Sequence, residues 1–249
     1  MNKTILITGA TSGIGKTTAE FLASQGARLI LCGRRQERLN ELKEELPTDV
    51  HTLNFDIRDR KAVFTSIESI PEEFKPIDVL INNAGNAHGL DDVVDADLDD
   101  WDAMIDGNVK GLIYVTKAIL PEMTKRNIGQ IINIGSIAGL EVYPKGNVYC
   151  ASKFAVDAFT KGLRIDLNSY GIRVGAINPG LVETEFSEVR FKGDQEKAAT
   201  VYSKLDALQP QDIANTILFM INAPVQVTIA DITILPTAQA NATVINKRD

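Results

Sequence analysis

Among 249 residues there are only two cysteines, two histidines and one tryptophan. Two thiols make no disulfide framework. Cys32 lies in an apolar run and Cys150 follows Tyr149 directly, so both are expected to be reduced. Basic side chains are also in deficit, 26 lysines and arginines against 33 acids, giving a formal net charge of −7. That balance excludes a broad nucleic-acid surface and leaves room only for a local basic pocket. No apolar stretch approaches the roughly 18 residues of a membrane span. Met1-Asn2-Lys3-Thr4 runs straight into Ile5-Leu6-Ile7, too short for the apolar core of a secretory leader. No metal site is expected, and a cytoplasmic protein is. No Gly/Ser/Pro-rich linker or charge block divides the chain, so residues 1–249 read as a single domain.

The chain alternates instead. Hydrophobic residues make up 44% and charged residues 24%, which suits an ordinary globular core. Short apolar runs occur at Thr4–Thr8, Arg28–Cys32, Val50–Asn54, Val79–Asn82, Gln130–Ile134, Arg173–Ile177 and Thr228–Leu235. Most are rich in Ile, Leu and Val, as strands buried on both faces are. Between them lie helical segments such as Gly15–Ser24, Gln36–Leu46, Trp101–Met123 and Val148–Ser169. Parallel neighbours need a crossover of a dozen or more residues, usually a helix. The pattern therefore predicts an α/β fold, a Rossmann-type doubly wound parallel sheet of about seven strands with helices on both faces. The acidic stretch Asp91–Asp102 reads as a solvated loop entering a helix.

After the first run comes Thr8-Gly9-Ala10-Thr11-Ser12-Gly13-Ile14-Gly15, and a helix opens there. Glycines let the backbone approach a pyrophosphate, and a helix N-terminus offers free N–H groups and a partial positive charge. A glycine cluster by itself is equally an ordinary strand-to-helix turn. The spacing Gly-x-x-x-Gly-x-Gly resembles that of the short-chain dehydrogenases/reductases, and further motifs follow in that family's order. They are Asn82-Asn83-Ala84-Gly85, Asn108 within Gly107-Asn108-Val109, Ser136 after the fifth run, Tyr149-Cys150-Ala151-Ser152-Lys153, and Pro179-Gly180 with Thr184.

The resemblance implies an oxidoreductase that moves a hydride between substrate carbon and a nicotinamide, while the protein handles the proton. Tyr149 and Lys153 share one helix face. A free phenol near pKa ~10 is a poor base at neutral pH, and an adjacent ammonium is expected to lower that value. In the family pattern Tyr149 is the acid/base, Ser136 holds the substrate oxygen, Lys153 also binds the nicotinamide ribose, and Asn108 helps hold a proton-relaying water. The cofactor cleft implied by the same pattern begins with Gly9, Ser12, Gly13, Ile14 and Gly15. Asp56 and Ile57 follow the third strand, with Asp56 at the adenine. Asn83, Ala84 and Gly85 come after the fourth, and Pro179, Gly180, Val182 and Thr184 after the sixth. The alternative for each of these taken alone is structural: a core tyrosine, a solvated lysine, a turn serine.

NAD sites usually place an acid at the end of the second strand. Here that strand runs into Gly33-Arg34-Arg35, and a guanidinium pairs with a 2′-phosphate that an acid would repel. NADP is therefore the expected cofactor, with Arg34 placed first as phosphate ligand, Arg35 beside it and Ser12 as a helper. The alternative is a pair of solvated arginines starting a charged helix. The segment from Gly180 to Gly193, together with Tyr143-Pro144-Lys145-Gly146 and the tail from Ile229 to Thr237, resembles the NADP-dependent 3-hydroxy acid dehydrogenases, which include serine and L-allo-threonine dehydrogenases. A substrate-binding segment is thus expected at about 180–210. Arg190 is the candidate ligand for the acid group, unless it merely balances Glu185 and Glu188, and Tyr143 either lines the same pocket or is a buried aromatic. A broader aldehyde, ketone, sulfoacetaldehyde or 3-oxoacyl reductase is the second reading, and a noncatalytic dinucleotide-binding regulator the third. A homotetramer is implied by the resemblance, with Ala151, Ala155, Ala158 and Gly162 permitting close helix contact or packing on the sheet.

Overall fold

A computed structural model describes residues 1–247. Seven parallel strands form one sheet: β1 Thr4–Thr8, β2 Arg28–Gly33, β3 Val50–Asn54, β4 Val79–Asn82, β5 Gly129–Ile134, β6 Ile172–Pro179 and β7 Asp231–Ile234. Their spatial order is β3-β2-β1-β4-β5-β6-β7. The connections are α1 Gly13–Ser24, α2 Gln36–Glu45, α3 Arg60–Glu68, α4 Leu98–Ile105, α5 Leu112–Arg126, α6 Asn147–Asp166, α7 Phe186–Arg190, α8 Gln195–Tyr202 and α9 Pro210–Ile221. Among the described residues no helix is long and apolar enough to cross a membrane.

The apolar runs become strands because both of their faces are covered. Alternate side chains leave opposite sides of a strand, so Ile5, Ile7, Leu29, Leu31 and Ile81 join the core under α1, α2 and α9. Leu6, Ile30, Leu80, Ile131 and Val174 join the core under α3, α5 and α6. The expected seventh run, Thr228–Leu235, contracts to β7, whose Asp231 and Thr233 are exposed as befits an edge strand.

The expected helix Trp101–Met123 is not continuous. α4 ends at Ile105, a π-helical turn spans Asp106–Gly111, and α5 follows. The extra residue in such a turn is a common device at functional sites. α6 lays Ser152, Lys153, Val156, Thr160 and Leu163 inward. Of its small residues, Ala151 and Ala158 are exposed, Ala155 is half-buried, and a Cβ at Gly162 would meet nothing within 4 Å.

Chain order reverses between β1 and β4, and the crevice of an open α/β sheet lies beyond the carboxyl ends of such a pair. Thr8 closes the seam there. Its hydroxyl accepts from the backbone N–H groups of Asn83 and Ala84, both at 3.0 Å. The Asn83 amide donates back to the carbonyls of Thr8 at 2.9 Å and Gly9 at 3.2 Å. Thr8→Val keeps the shape but removes the acceptor of the Ala84 N–H. It should cost about 1–3 kcal/mol in urea unfolding, whereas Thr8→Ser should lose clearly less.

Candidate active site

Gly9 and Gly13 have φ of +65° and +49°, a region that side chains rarely adopt. Gly15 is needed for space: a Cβ there would stand 2.3 Å from the Gly9 carbonyl oxygen and 2.5 Å from Asn83 Nδ2. The turn thus folds flat against the start of α1. Ser12 occupies the N-cap without a side-chain capping bond, so its hydroxyl and the first N–H groups of α1 face the crevice. This is the arrangement that receives a diphosphate, and the bare backbone of the turn fits one.

At the end of β2 the rim is cationic. Arg34 is 64% exposed and lies 3.7 Å from Asp56. Arg35 is more engaged. It donates to Thr11 Oγ1 through Nε at 3.1 Å and Nη2 at 3.0 Å, and its Nη1 lies 3.5 Å from Glu185. Arg58, absent from the residues expected at the site, also lines the crevice and holds Asp56 through a 2.7 Å ion pair. Partial burial opposes ionisation of Asp56, but hydrogen bonds from Arg58 and the charge of Arg34 outweigh it and keep the carboxyl below its ordinary range. The rim therefore fits a phosphate monoester beside Arg34.

Ser136 follows β5 in extended backbone and accepts from the Ala138 N–H at 3.1 Å. Its hydroxyl is also hydrogen-bonded to Tyr149 on α6. One turn on, Lys153 is 8% exposed, donates to the Ile134 carbonyl at 3.0 Å, and has its Nζ 5.9 Å from the centre of the Tyr149 ring. Asn108 sits in the π turn. Its amide accepts from the Asn86 N–H at 2.7 Å and donates to the Asn86 carbonyl at 2.8 Å and to Ser152 Oγ at 3.0 Å. A Cβ on Gly85 would come within 3.0 Å of Asn108 Oδ1 and 3.8 Å of Lys153 Nζ, so glycine is what allows those two groups to approach.

The electrostatics differ from the expectation that Lys153 draws the phenol down. Burial raises the Tyr149 pKa well above its ordinary value, Tyr143 adds to the rise, and the Ser136 hydrogen bond and Arg190 only partly oppose it. Burial also pushes Lys153 down to about 8. In the protein alone desolvation sets the rise of the phenol, and the same burial disfavours the charge of the lysine.

Arg190, at the end of α7, faces the same space. Its guanidinium lies 5.6 Å and 5.7 Å from the ring centres of Tyr143 and Tyr149. It donates to the Gly89 carbonyl at 3.2 Å and the Tyr143 hydroxyl at 3.1 Å. Of the five N–H groups of a guanidinium, three stay available to a ligand among the described residues. The suggested pairing of Arg190 with Glu185 and Glu188 is not formed; Glu185 pairs with Arg35 and Arg38.

These groups surround one cavity of about 490 Å³, within the usual range for a ligand pocket. Of the residues expected at the site, only Gly15 and Asn108 lie outside its walls, Gly15 beneath the turn and Asn108 behind Gly85. Sequence reasoning missed Phe186 and Tyr202 from the 180–210 segment, and Gln239, Ala242 and Ile245 from the tail. The tail residues carry no motif. Gln239 enters because its side chain accepts from the Leu181 N–H at 2.9 Å, in the space that a bare Gly180 leaves.

Comparison with known proteins agrees with the fold. The sequence pattern of the family described as short chain dehydrogenase matches residues 3–195. The NADP-dependent 3-hydroxy acid dehydrogenase YdfG of Salmonella typhi is 47% identical over 239 residues, 96% of each chain. The NADP-dependent 3-hydroxy acid dehydrogenase of Schizosaccharomyces pombe is 47% identical over 245 residues, 96% of this chain and 95% of that one. A closed form of serine dehydrogenase complexed with NADP+ superposes with a TM-score of 0.94 at 44% identity, over 98% of this chain and 99% of the other.

The buried lysine has a measurable cost. Lys153 falls from an ordinary 10.5 to about 8 on folding, so the unfolded chain holds the proton more tightly between those values, and stability rises with pH across that window. Below pH 8 the penalty is borne in full. Lys153→Met should therefore stabilise the cofactor-free protein at pH 7 by up to about 3 kcal/mol, at about 1.36 kcal/mol per pH unit, and so raise its melting temperature. The gain should shrink from pH 8 towards 10.5, followed by circular dichroism. A variant less stable than the parent at pH 7 would contradict this.

Proposed function

The chain belongs to the short-chain dehydrogenase family and is an NADP-dependent oxidoreductase acting on CH–OH groups; from that premise we propose that it interconverts short 3-hydroxy acids with their 3-oxo acids or semialdehydes. Serine, L-allo-threonine and 3-hydroxypropionate are the substrate type. The observation that carries this reading is Arg190, a half-buried guanidinium 5.7 Å from the Tyr149 ring with N–H groups to spare. A carboxylate gripped there by two parallel hydrogen bonds would hold a short acid with its hydroxyl carbon near the phenol.

Bound NADP(H) supplies or accepts the hydride. The rest falls to this chain. The Gly9–Gly15 turn and the N-terminus of α1 would hold the diphosphate, and Arg34, with Arg35 and Ser12 near it, would take the 2′-phosphate. Ser136 donates to the substrate oxygen and shares it with Tyr149. In the oxidising direction Tyr149 takes the hydroxyl proton, and in the reducing direction it returns one. The protonated phenol favoured by burial suits that second role. Lys153, one turn from Tyr149, would hold the ribose hydroxyls through its ammonium, while Asn108 stiffens the π turn behind Gly85. Tyr143 orients Arg190 through its hydroxyl.

The outward small-residue face of α6 supports a homotetramer, and light scattering tests it. Two free buried cysteines suit a cytoplasmic setting.

Purified protein with NADP+ should reduce the cofactor in the presence of L-serine, L-allo-threonine or 3-hydroxypropionate and much less with simple alcohols, followed by nicotinamide absorbance. Arg190→Ala should raise KM for the acids roughly tenfold or more, the scale of a charge-assisted bond worth about 1.5–3 kcal/mol, and Arg190→Lys should recover part of the loss. Equal turnover of alcohols with an unaffected Arg190→Ala would instead indicate a general carbonyl reductase. Tyr149→Phe should lower kcat by about 10² to 10⁴ while NADPH fluorescence reports unchanged binding.

A further inference from the structure

Glu185 is a carboxylate at the rim where a cationic pocket awaits a phosphate, and for binding an anion alone it is misplaced. Its oxygens receive Arg38 Nη1 at 3.2 Å and 3.1 Å, and Arg35 Nη1 lies 3.5 Å away. Arg38 belongs to α2 and is not a wall of the cavity, whereas Glu185 immediately precedes α7, the helix that ends in Arg190. Both arginines also reach Thr11, Arg35 to its carbonyl at 3.2 Å and Arg38 at 3.4 Å. The pair therefore spans from the substrate-side segment, across the mouth of the cleft, to the phosphate-binding turn. The far end of α7 is tied down separately. The Gly89 N–H donates to the Arg190 carbonyl at 2.9 Å, and Lys192 lies 3.0 Å from Asp100.

We propose that Glu185 is a positioning residue for the substrate, a strut that holds the Thr184–Arg190 segment across the cofactor cleft through Arg38. It sets how well Arg190 is presented rather than how tightly the cofactor is held. This deepens, and for its kinetic readout rests on, the reading of Arg190 as the acid ligand. The sign of the effect on the cofactor is distinctive. A carboxylate beside Arg35 draws on charge that a 2′-phosphate would use and repels that phosphate directly. Losing it should leave NADPH binding unchanged or tighter, while substrate affinity falls.

The test is a cycle of Glu185→Gln, Arg38→Gln and the double variant. With saturating NADP+, each single change should raise KM for the acid roughly two- to fivefold, the range of an exposed ion pair, with kcat little altered. The double variant should match the singles rather than multiply them. NADPH fluorescence titration of Glu185→Gln should give a dissociation constant equal to or below that of the parent. Limited trypsin digestion of the NADP+-loaded proteins should cut at Arg190, Lys192 or Lys197 faster in all three variants than in the parent. Unaltered digestion rates, multiplicative KM effects or weakened NADPH binding in Glu185→Gln would overturn the strut. If no 3-hydroxy acid is turned over by the parent, the proposed substrate fails, and digestion still decides whether Glu185 fixes the segment.

Discussion

At the tip of β1 the Gly9 carbonyl and the Asn83 amide press against Gly15 so closely that one methyl group there would displace both. Everything the site does depends on that contact. Side-chain volume is what normally keeps a strand and the next helix apart, and its absence lets the start of α1 lie against Gly9 and Asn83. Because Asn83 also donates to the carbonyls of Thr8 and Gly9, the same residue that fills the gap ties the two strands flanking the switch point. The cofactor turn and the segment after β4 are therefore one unit. A change to either would shift Gly85, and with it the clearance that Asn108 and Lys153 need.

A second constraint runs the other way, from function to stability. Lys153 is buried without a carboxylate, held by a single carbonyl, and its proton is weakened by desolvation. Such a residue is a poor choice for a core, and hydrophobic replacements of buried charges are often neutral or stabilising. The neighbouring polar groups are arranged differently. Asn82 donates through its amide to Thr116 and Asn133, and Asn133 to Thr160, in a chain of bonds at 2.8 to 2.9 Å between β4, β5, α5 and α6. That network fixes α6 against the sheet, so the strain of Lys153 is carried by a helix with other reasons to stay in place.

Much of this was legible in the sequence, for physical reasons that differ by element. Strands buried on both faces betray themselves as runs of Ile, Leu and Val, and the parallel order follows from the helices between them. The glycine turn and the Tyr149–Lys153 spacing are local geometries, so local sequence encodes them. The π turn was not legible. Nothing in Asp106–Gly111 breaks helical periodicity, and the turn owes its form to the bonds of Asn108 with Asn86 and Ser152, distant in sequence. Arg34 and Arg35 were readable as a pair, but their division of labour was not, since it is set by Thr11, Asp56 and Glu185. Gln239 was invisible for the same reason: a tail residue acquires meaning only where Gly180 leaves room for it.

The two halves of the site are built to different standards, and this bears on what each half specifies. The groups proposed to handle the proton and the diphosphate sit on strand ends and on α1 and α6, held by buried hydrogen bonds that desolvation makes strong and costly to break. The segment that carries Arg190 is held at its edges by ion pairs such as Glu185–Arg38 and Lys192–Asp100, in which at least one partner is well exposed. Exposed pairs contribute little each and weaken with salt. On the proposed reading of Arg190, substitutions within such a segment alter substrate affinity before they alter chemistry.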